Sequence, residues 1–528
     1  MTGLGLIWYR SCMERTSPQE LNAEELLDLV LQLQERLEVL EARDREQSQR
    51  IEQQAQLIER QAKRMAELEK ENQQLRQKNP TQRLEEAYSL RAEEQRREAA
   101  LQGGGASKIK KQKSPRRGRV STDQKLALAT RHEDIWPSDR PHSECHLRYS
   151  RAVWRIIDGQ AVLVAYQIYA GPDGRVSQIP GVPKRGEYGS EIITALAFQH
   201  YISGLPLDTV IQEFSFYWNL TLRKSQADAM LNRLAKEWLP EFDALCQLLA
   251  VSAVVYADET SWSINSVWAF LSEKARLTVF GCRKDGATLA VLLKKETFAG
   301  TLVSDDAAVY QGFTHAQKCW AHLLRKAIRL TLLKPDRPQY REFLDALLEI
   351  YRKGKAIAAD KRLREAGRRT RVATLFEAVC ACTATRTNDE TPPSDDTERD
   401  YYNLTHEISR LLIADELFTY AIHPEVDGTN NISERQLRQP AQARLTGQTN
   451  KTALGARRRT VIASVLDSLR LHLPQLTLQA VQAELQRWQE TGMSVYRRLV
   501  QTLNLPALTL PESIRTPLDL LVPIPQTG

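Results

Sequence analysis

The chain has 528 residues, enough for three or four domains of about 150 residues each, and its 42% hydrophobic and 26% charged residues support packed cores and exclude a wholly disordered chain. The net charge of +7 is small for this length, so what matters is where the positive charge is gathered. Seven scattered cysteines argue against a secreted disulfide framework, no apolar run approaches the ~18 residues of a membrane span, and Met1–Arg15 lacks the order of a signal peptide, so a cytoplasmic protein is expected.

From Leu26 to Leu75 a heptad runs through Val30, Leu37, Asp44, Ile51, Ile58, Met65 and Asn72 at one seam position, and through Leu26, Leu33, Leu40, Gln47, Gln54, Gln61, Leu68 and Leu75 at the other. Such a seam is buried only against another helix. Residues 1–102 are therefore read as a coiled-coil segment joining copies of the chain, with a long helix folded back on its own chain as the alternative. Gly103-Gly104-Gly105 ends the helical pattern. Lys108, Lys110, Lys111, Lys113, Arg116, Arg117 and Arg119 follow with no acid among them. A flexible basic linker over 103–143 suits contact with DNA phosphates, and a solubilising spacer is the plainer reading.

Short alternating apolar runs predict a small β-rich unit over 144–186. Helical periodicity takes over in 187–250, with one helix from Ser190, a second from Leu205 and a third from Thr221 carrying Ala227, Met230, Leu231 and Leu234. The last two fit either a helix-turn-helix or a plain helical hairpin. In the former, Arg223, Lys224, Ser225 and Gln226 are the residues offered to DNA.

The stretch 251–332 carries the chemistry. The run Val251–Ala257 stops at Asp258, an apolar meander follows over Val267–Leu271 and Leu277–Cys282, and a second strand from Gly300 stops at Asp305-Asp306. A basic amphipathic helix then begins near Cys319-Trp320-Ala321-His322. Residues 333–416 are read as an inserted helical subdomain. Residues 417–472 return to the core, with Glu434 in the first turn of a helix. Residues 473–528 form a helical tail with a Pro-rich end. Two acids at strand ends and one on a helix are the donors that a pair of Mg²⁺ or Mn²⁺ ions needs for in-line phosphodiester chemistry. Neighbours on a strand point to opposite faces, so only one of Asp258 and Glu259, and one of Asp305 and Asp306, is expected at the site.

Four stretches, Tyr256-Ala-Asp258-Glu-Thr, Leu302-Val-Ser-Asp305-Asp-Ala-Ala-Val-Tyr310, Cys319-Trp-Ala-His322-Leu-Leu-Arg325-Lys326 and Asn431-Ile-Ser-Glu434-Arg435-Gln-Leu-Arg438-Gln-Pro440, together resemble the insertion-sequence-66 family of transposases over roughly Ser190 to Arg470. The resemblance implies a ribonuclease H-like α/β core, a mixed sheet flanked by helices, with a helical insertion. It also implies a DDE triad of Asp258, Asp305 and Glu434 holding two Mg²⁺ or Mn²⁺ ions, with the ends of a bacterial insertion sequence and target DNA as partners. Element-encoded helper proteins are further candidate partners. His322, Arg325, Lys326, Arg435 and Arg438 become candidate DNA contacts. A different ribonuclease H-like nuclease, or a decayed DNA-binding protein, would share many of these features.

The family's cysteine-rich zinc module has no counterpart here. His142, Cys145 and His146 are too few for a tetrahedral site, and Cys319 with His322 lacks a second pair unless Cys380 and Cys382 supply it, so no structural zinc is expected.

Overall fold

The computed structural model describes residues 120–387, 395–507 and 514–524, all within one compact unit spanning 118–528. The heptad segment and the seven cations of the basic linker lie outside the described residues.

Among the described residues, the first regular element lies inside the stretch read as linker. Ser121 caps α1 (Thr122–Ala127) through a reciprocal capping box with Gln124. Next comes β1 (Arg131–Ile135), which pairs parallel to β3 (Gln160–Ala170); β2 (His146–Ile157) pairs antiparallel on the other side of β3. The β2–β3 hairpin turns at Asp158-Gly159, both at positive φ, as a two-residue turn demands. Val153, Val164, Tyr166 and Ile168 form the core of this small unit with Ile179 and Val182.

Four helices follow: α2 (Ser190–Ala197, extended by a π turn through Ile202), α3 (Leu207–Trp218), α4 (Lys224–Glu237) and α5 (Leu239–Ala250). Asn219 ends α3 in the left-handed conformation that Asn tolerates best among residues other than Gly. The expected helix from Thr221 starts instead at Lys224, because the side chains of Leu220 and Leu222 are buried within the turn.

The second sheet has five strands in the order β6-β5-β4-β7-β8. Here β4 (Val254–Ser261), β5 (Ser266–Leu271) and β6 (Arg276–Cys282) form an antiparallel meander. After α6 (Gly286–Leu292), β7 (Thr301–Ser304) pairs parallel to β4, and β8 (Ala316–Lys318) pairs parallel to β7. Strand β4 does not stop at Asp258 as the sequence suggested. It continues to Ser261, because β5 keeps pairing after β7 has ended: Asp258 faces Ala269 and Thr260 faces Val267.

Two cores sandwich this sheet. Val254 and Val303 pack with the insertion helices, whereas Val255, Ala257 and Leu302 pack into the larger core on the other face, as strand alternation requires. The insertion-side helices are α7 (Trp320–Leu333), α8 (Pro338–Ala359), α9 (Glu365–Thr387) and α10 (Asp396–Ile413). A short α11 (Thr419–Ile422) leads to α12 (Asn431–Leu445) and α13 (Ala453–Ser468), and then come α14 (Leu478–Thr491), α15 (Val495–Thr502) and α16 (Pro517–Leu521). No helix among the described residues is long and apolar enough to cross a membrane.

Strand β6 is a sheet edge whose amide donors would be left unpaired. Helix α13 covers it with hydroxyls spaced one turn apart: Thr460 Oγ1, Ser464 Oγ and Ser468 Oγ accept from the amides of Phe280 (2.9 Å), Thr278 (3.0 Å) and Arg276 (3.0 Å). Ser464→Ala strips the middle, fully buried amide of its acceptor and is expected to cost about 1–3 kcal/mol in urea denaturation. A change near zero would show that the ladder contributes nothing.

Candidate active site

Adjacent parallel strands bring the first two acids together. The β4–β7 ladder runs Val254 with Thr301, Val255 with Leu302 and Tyr256 with Val303, so that two residues further on the chains deliver Asp258 and Asp305 at the same level. The alternation that sends Val254 and Val303 to the insertion side carries Asp258 and Asp305 to that face as well. Glu259 turns the other way. Its side chain is only 2% exposed and is held by the Tyr310 hydroxyl and the Lys284 ammonium. Asp306 is drawn off by Arg410. Strand alternation thus separates Glu259 from Asp258, whereas Asp306, beyond the end of β7, is taken from Asp305 by its ion pair with Arg410 on α10.

Asp258 accepts from the amide of Glu259 (2.9 Å), and Asp305 from that of Ala307 (3.0 Å). Burial, reinforced by the charges of Glu259, Asp305 and Glu434, pushes the Asp258 carboxyl up to about 7. The Glu259 carboxylate, followed by burial working the other way and then by Asp305 and Asp258, holds the Lys284 ammonium above its ordinary value. Lys318, the fully buried last residue of β8, donates to Ser304 Oγ (3.2 Å) and to the Tyr310 carbonyl (3.3 Å), and burial lowers its pKa.

The third acid arrives on α12, and a buried asparagine ties that helix to β4. Asn430, the N-cap residue, donates from Nδ2 to the Ala257 carbonyl at 2.7 Å and accepts from Ser433 Oγ, while its amide donates to Cys319 Sγ at 3.1 Å. The preceding loop is pinned by the Asp427 amide donating to Tyr256 Oη (2.9 Å) and by the Trp320 amide donating to the Gly428 carbonyl (2.9 Å). Glu434 consequently occupies the first turn of α12, as the sequence suggested.

In this conformation Glu434 is engaged by α7. Arg325 grips it through two hydrogen bonds of 3.0 and 2.9 Å, and His322 Nδ1 stands 3.7 Å from its Oε1. Among the described residues, the group of potential metal ligands with all donor atoms within 4.8 Å of one another is Cys319, His322 and Glu434. The three acids Asp258, Asp305 and Glu434 are coupled through their charges but are not drawn together to that distance.

The other sequence-derived candidates separate into two sets. Lys326 is paired with Glu407 (2.5 Å) and Lys224 with Asp208 (2.6 Å), while Gln226 serves as a capping partner for Arg223 and donates to Tyr188 Oη (3.0 Å). Arg223, Ser225, Arg435 and Arg438 are exposed, and among the described residues neither Arg435 nor Arg438 has an ion-pair partner. Lys284, Asn430 and Lys318 were not singled out from sequence. A lysine in a turn and an asparagine before a helix carry no signal until the sheet register is known. Cys380 and Cys382 lie on α9 and do not join Cys319 and His322; the third donor there is Glu434.

The sequence model of the transposase IS66 family matches residues 185–458, more than half of the chain, and takes in both strands, the insertion and the start of α13. No curated protein matches the chain.

Proposed function

Because the chain belongs to the IS66 family of transposases, we propose that it binds the ends of a bacterial insertion sequence and cuts and joins DNA at the cluster of Asp258, Asp305 and Glu434. The observation that carries this reading is the in-register delivery of Asp258 and Asp305 by adjacent parallel strands, with Glu434 tied across to β4 through Asn430. An antiparallel meander followed by two parallel strands, interrupted by a helical insertion before the third acid, supports a ribonuclease H-like core.

The donor set fits hard divalent cations. All three side chains offer carboxylate oxygens, and the Asp258 carboxyl, raised first by burial and then by the charges of Glu259, Asp305 and Glu434, is one whose ionised form a bound cation would stabilise. Asp258, Asp305 and Glu434 would hold Mg²⁺ or Mn²⁺, which when bound polarises the scissile phosphodiester and makes a water or a 3′-hydroxyl a better nucleophile. Glu434 must first leave Arg325. The guanidinium so released has the planar fork that matches a phosphate, which makes Arg325 a DNA contact in the engaged state. Arg435 and Arg438 extend from the same helix as Glu434 and suit the adjoining backbone. Arg223 and Ser225, exposed at the start of α4, would make the groove contacts, and the cations from Lys108 to Arg119 would add sequence-independent phosphate contacts. The heptad segment would pair copies of the chain so that two element ends can be held together.

Incubation of the full chain with labelled DNA bearing the element's ends and Mg²⁺ tests this. New 3′-hydroxyl ends and joined products are the expected result. Cleavage without joining would indicate a nuclease, and binding without cleavage a decayed enzyme.

A further inference from the structure

Cys319 and His322 stand at the start of α7, one at its N-cap and the other at its third residue, a spacing that puts both on one side of the first turn. Glu434 reaches the same spot from the first turn of α12, and the Asn430 amide donating to Cys319 Sγ ties the two helix starts together. The three donor atoms, one sulfur, one nitrogen and one oxygen, all lie within 4.8 Å of one another. His322 Nδ1 is buried and has no hydrogen-bond partner, and it stands 3.7 Å from Glu434 Oε1. Zinc bonds of about 2.0–2.3 Å set donors roughly 3.3–3.8 Å apart around a tetrahedral ion, so the imidazole and carboxylate are already spaced for one.

We infer that Cys319, His322 and Glu434 form a second cation site, selective for a thiophilic ion such as Zn²⁺, and that its filling withdraws Glu434 from the aspartates. A thiolate, an imidazole and one carboxylate with a water in the fourth place are a donor set that zinc accepts and Mg²⁺ refuses. The ion takes the place of the Arg325 guanidinium as the positive partner of Glu434, and the Cys319 thiol loses its proton to solvent as the Sγ–metal bond forms. Glu434 thus has two competing destinations. With oxygen-seeking ions it belongs to Asp258 and Asp305; with a thiophilic ion it is held on α7. The binding site rests on the local geometry alone, whereas the inhibition by zinc rests on the proposed function.

Titration of the full chain with Co²⁺ reads the site directly, because a cobalt–thiolate bond gives a near-ultraviolet charge-transfer band. Wild type and Asp258→Asn are expected to develop this band, and Cys319→Ser to lose it. His322→Ala, a half-exposed position whose loss leaves the core intact, is expected to weaken binding at least ten-fold. In the cleavage assay, Zn²⁺ added over saturating Mg²⁺ is expected to stop wild type and to spare Cys319→Ser. A band that persists in Cys319→Ser, or no band in wild type, would overturn the site. Equal inhibition of wild type and Cys319→Ser would overturn its consequence. A chain that cuts no DNA under any condition would refute the proposed function and leave the cobalt result to decide the site by itself.

Discussion

Asp258→Asn is expected to fold more stably than the unaltered chain at neutral pH and to cleave no DNA. The carboxyl of Asp258 is held up at about 7, against an ordinary 3.8, first by burial and then by the charges of Glu259, Asp305 and Glu434. It therefore binds its proton more tightly in the folded chain than in the unfolded one. Below about pH 4 it is protonated in both states and costs nothing; from there to about pH 7 the unfolded chain alone gives up the proton, so stability falls as pH rises and the loss is complete above 7. A shift of this size corresponds to roughly 2–4 kcal/mol once solvent near the site is allowed for. Asparagine does not titrate, so the variant's advantage should be absent near pH 4 and full near pH 8, as urea denaturation at the two pH values would read. Mg²⁺ should raise the midpoint of the unaltered chain and leave that of the variant nearly unmoved. Cleavage should fall by ~10³-fold or more, since the metal contribution to such a barrier is several kcal/mol. A variant of unchanged stability at pH 8, or one that still cuts, would mean that Asp258 is not the strained centre of the site.

Asn430→Ala is the second large expected effect, and it separates positioning from coordination. The side chain is fully buried and its amide nitrogen donates to the carbonyl of Ala257, the residue before Asp258, while its oxygen accepts from Ser433, the residue before Glu434. One amide therefore sets the distance between the first and third acids. Truncation should cost about 1–3 kcal/mol in unfolding free energy. It should also cost on the order of 10² in cleavage rate, the usual penalty for a displacement of about 1 Å at a reacting centre. The Mg²⁺ concentration for half-maximal cleavage should rise as well. Asn430→Asp keeps the acceptor but lacks the donor and should fare no better. If Asn430→Ala lowers the midpoint of unfolding yet leaves rate and Mg²⁺ dependence alone, the residue is structural only.

Much of this arrangement was legible in the sequence because the strand signals are strong. The β-branched run before Asp258 and the Gly300–Ser304 segment before Asp305 each read as strands, and Glu434 read as a first-turn acid. What lay beyond local pattern was register. That Val254 pairs with Thr301 is a fact of tertiary packing, and only the register shows that Asp258 and Asp305 are level and that Glu259 faces away. Arg325 read as a phosphate contact because it is a cation on a basic helix; the fold closes that helix against α12 and gives it a carboxylate. Strand β1, Arg-His-Glu-Asp-Ile, escaped notice because it is mostly exposed and polar, with no apolar alternation to betray it.

The claim on which the rest depends is that Asp258, Asp305 and Glu434 bind divalent ions, and the most direct measurement is a metal switch at Asp305. Asp305→Cys replaces one oxygen donor by sulfur, which Mg²⁺ disfavours and Mn²⁺ tolerates better. The variant should be inactive on end-bearing DNA with Mg²⁺ and should recover measurable cleavage with Mn²⁺, while the unaltered chain works with both. Cleavage by Asp305→Cys in Mg²⁺ at the rate of the unaltered chain would contradict a ligand role for Asp305.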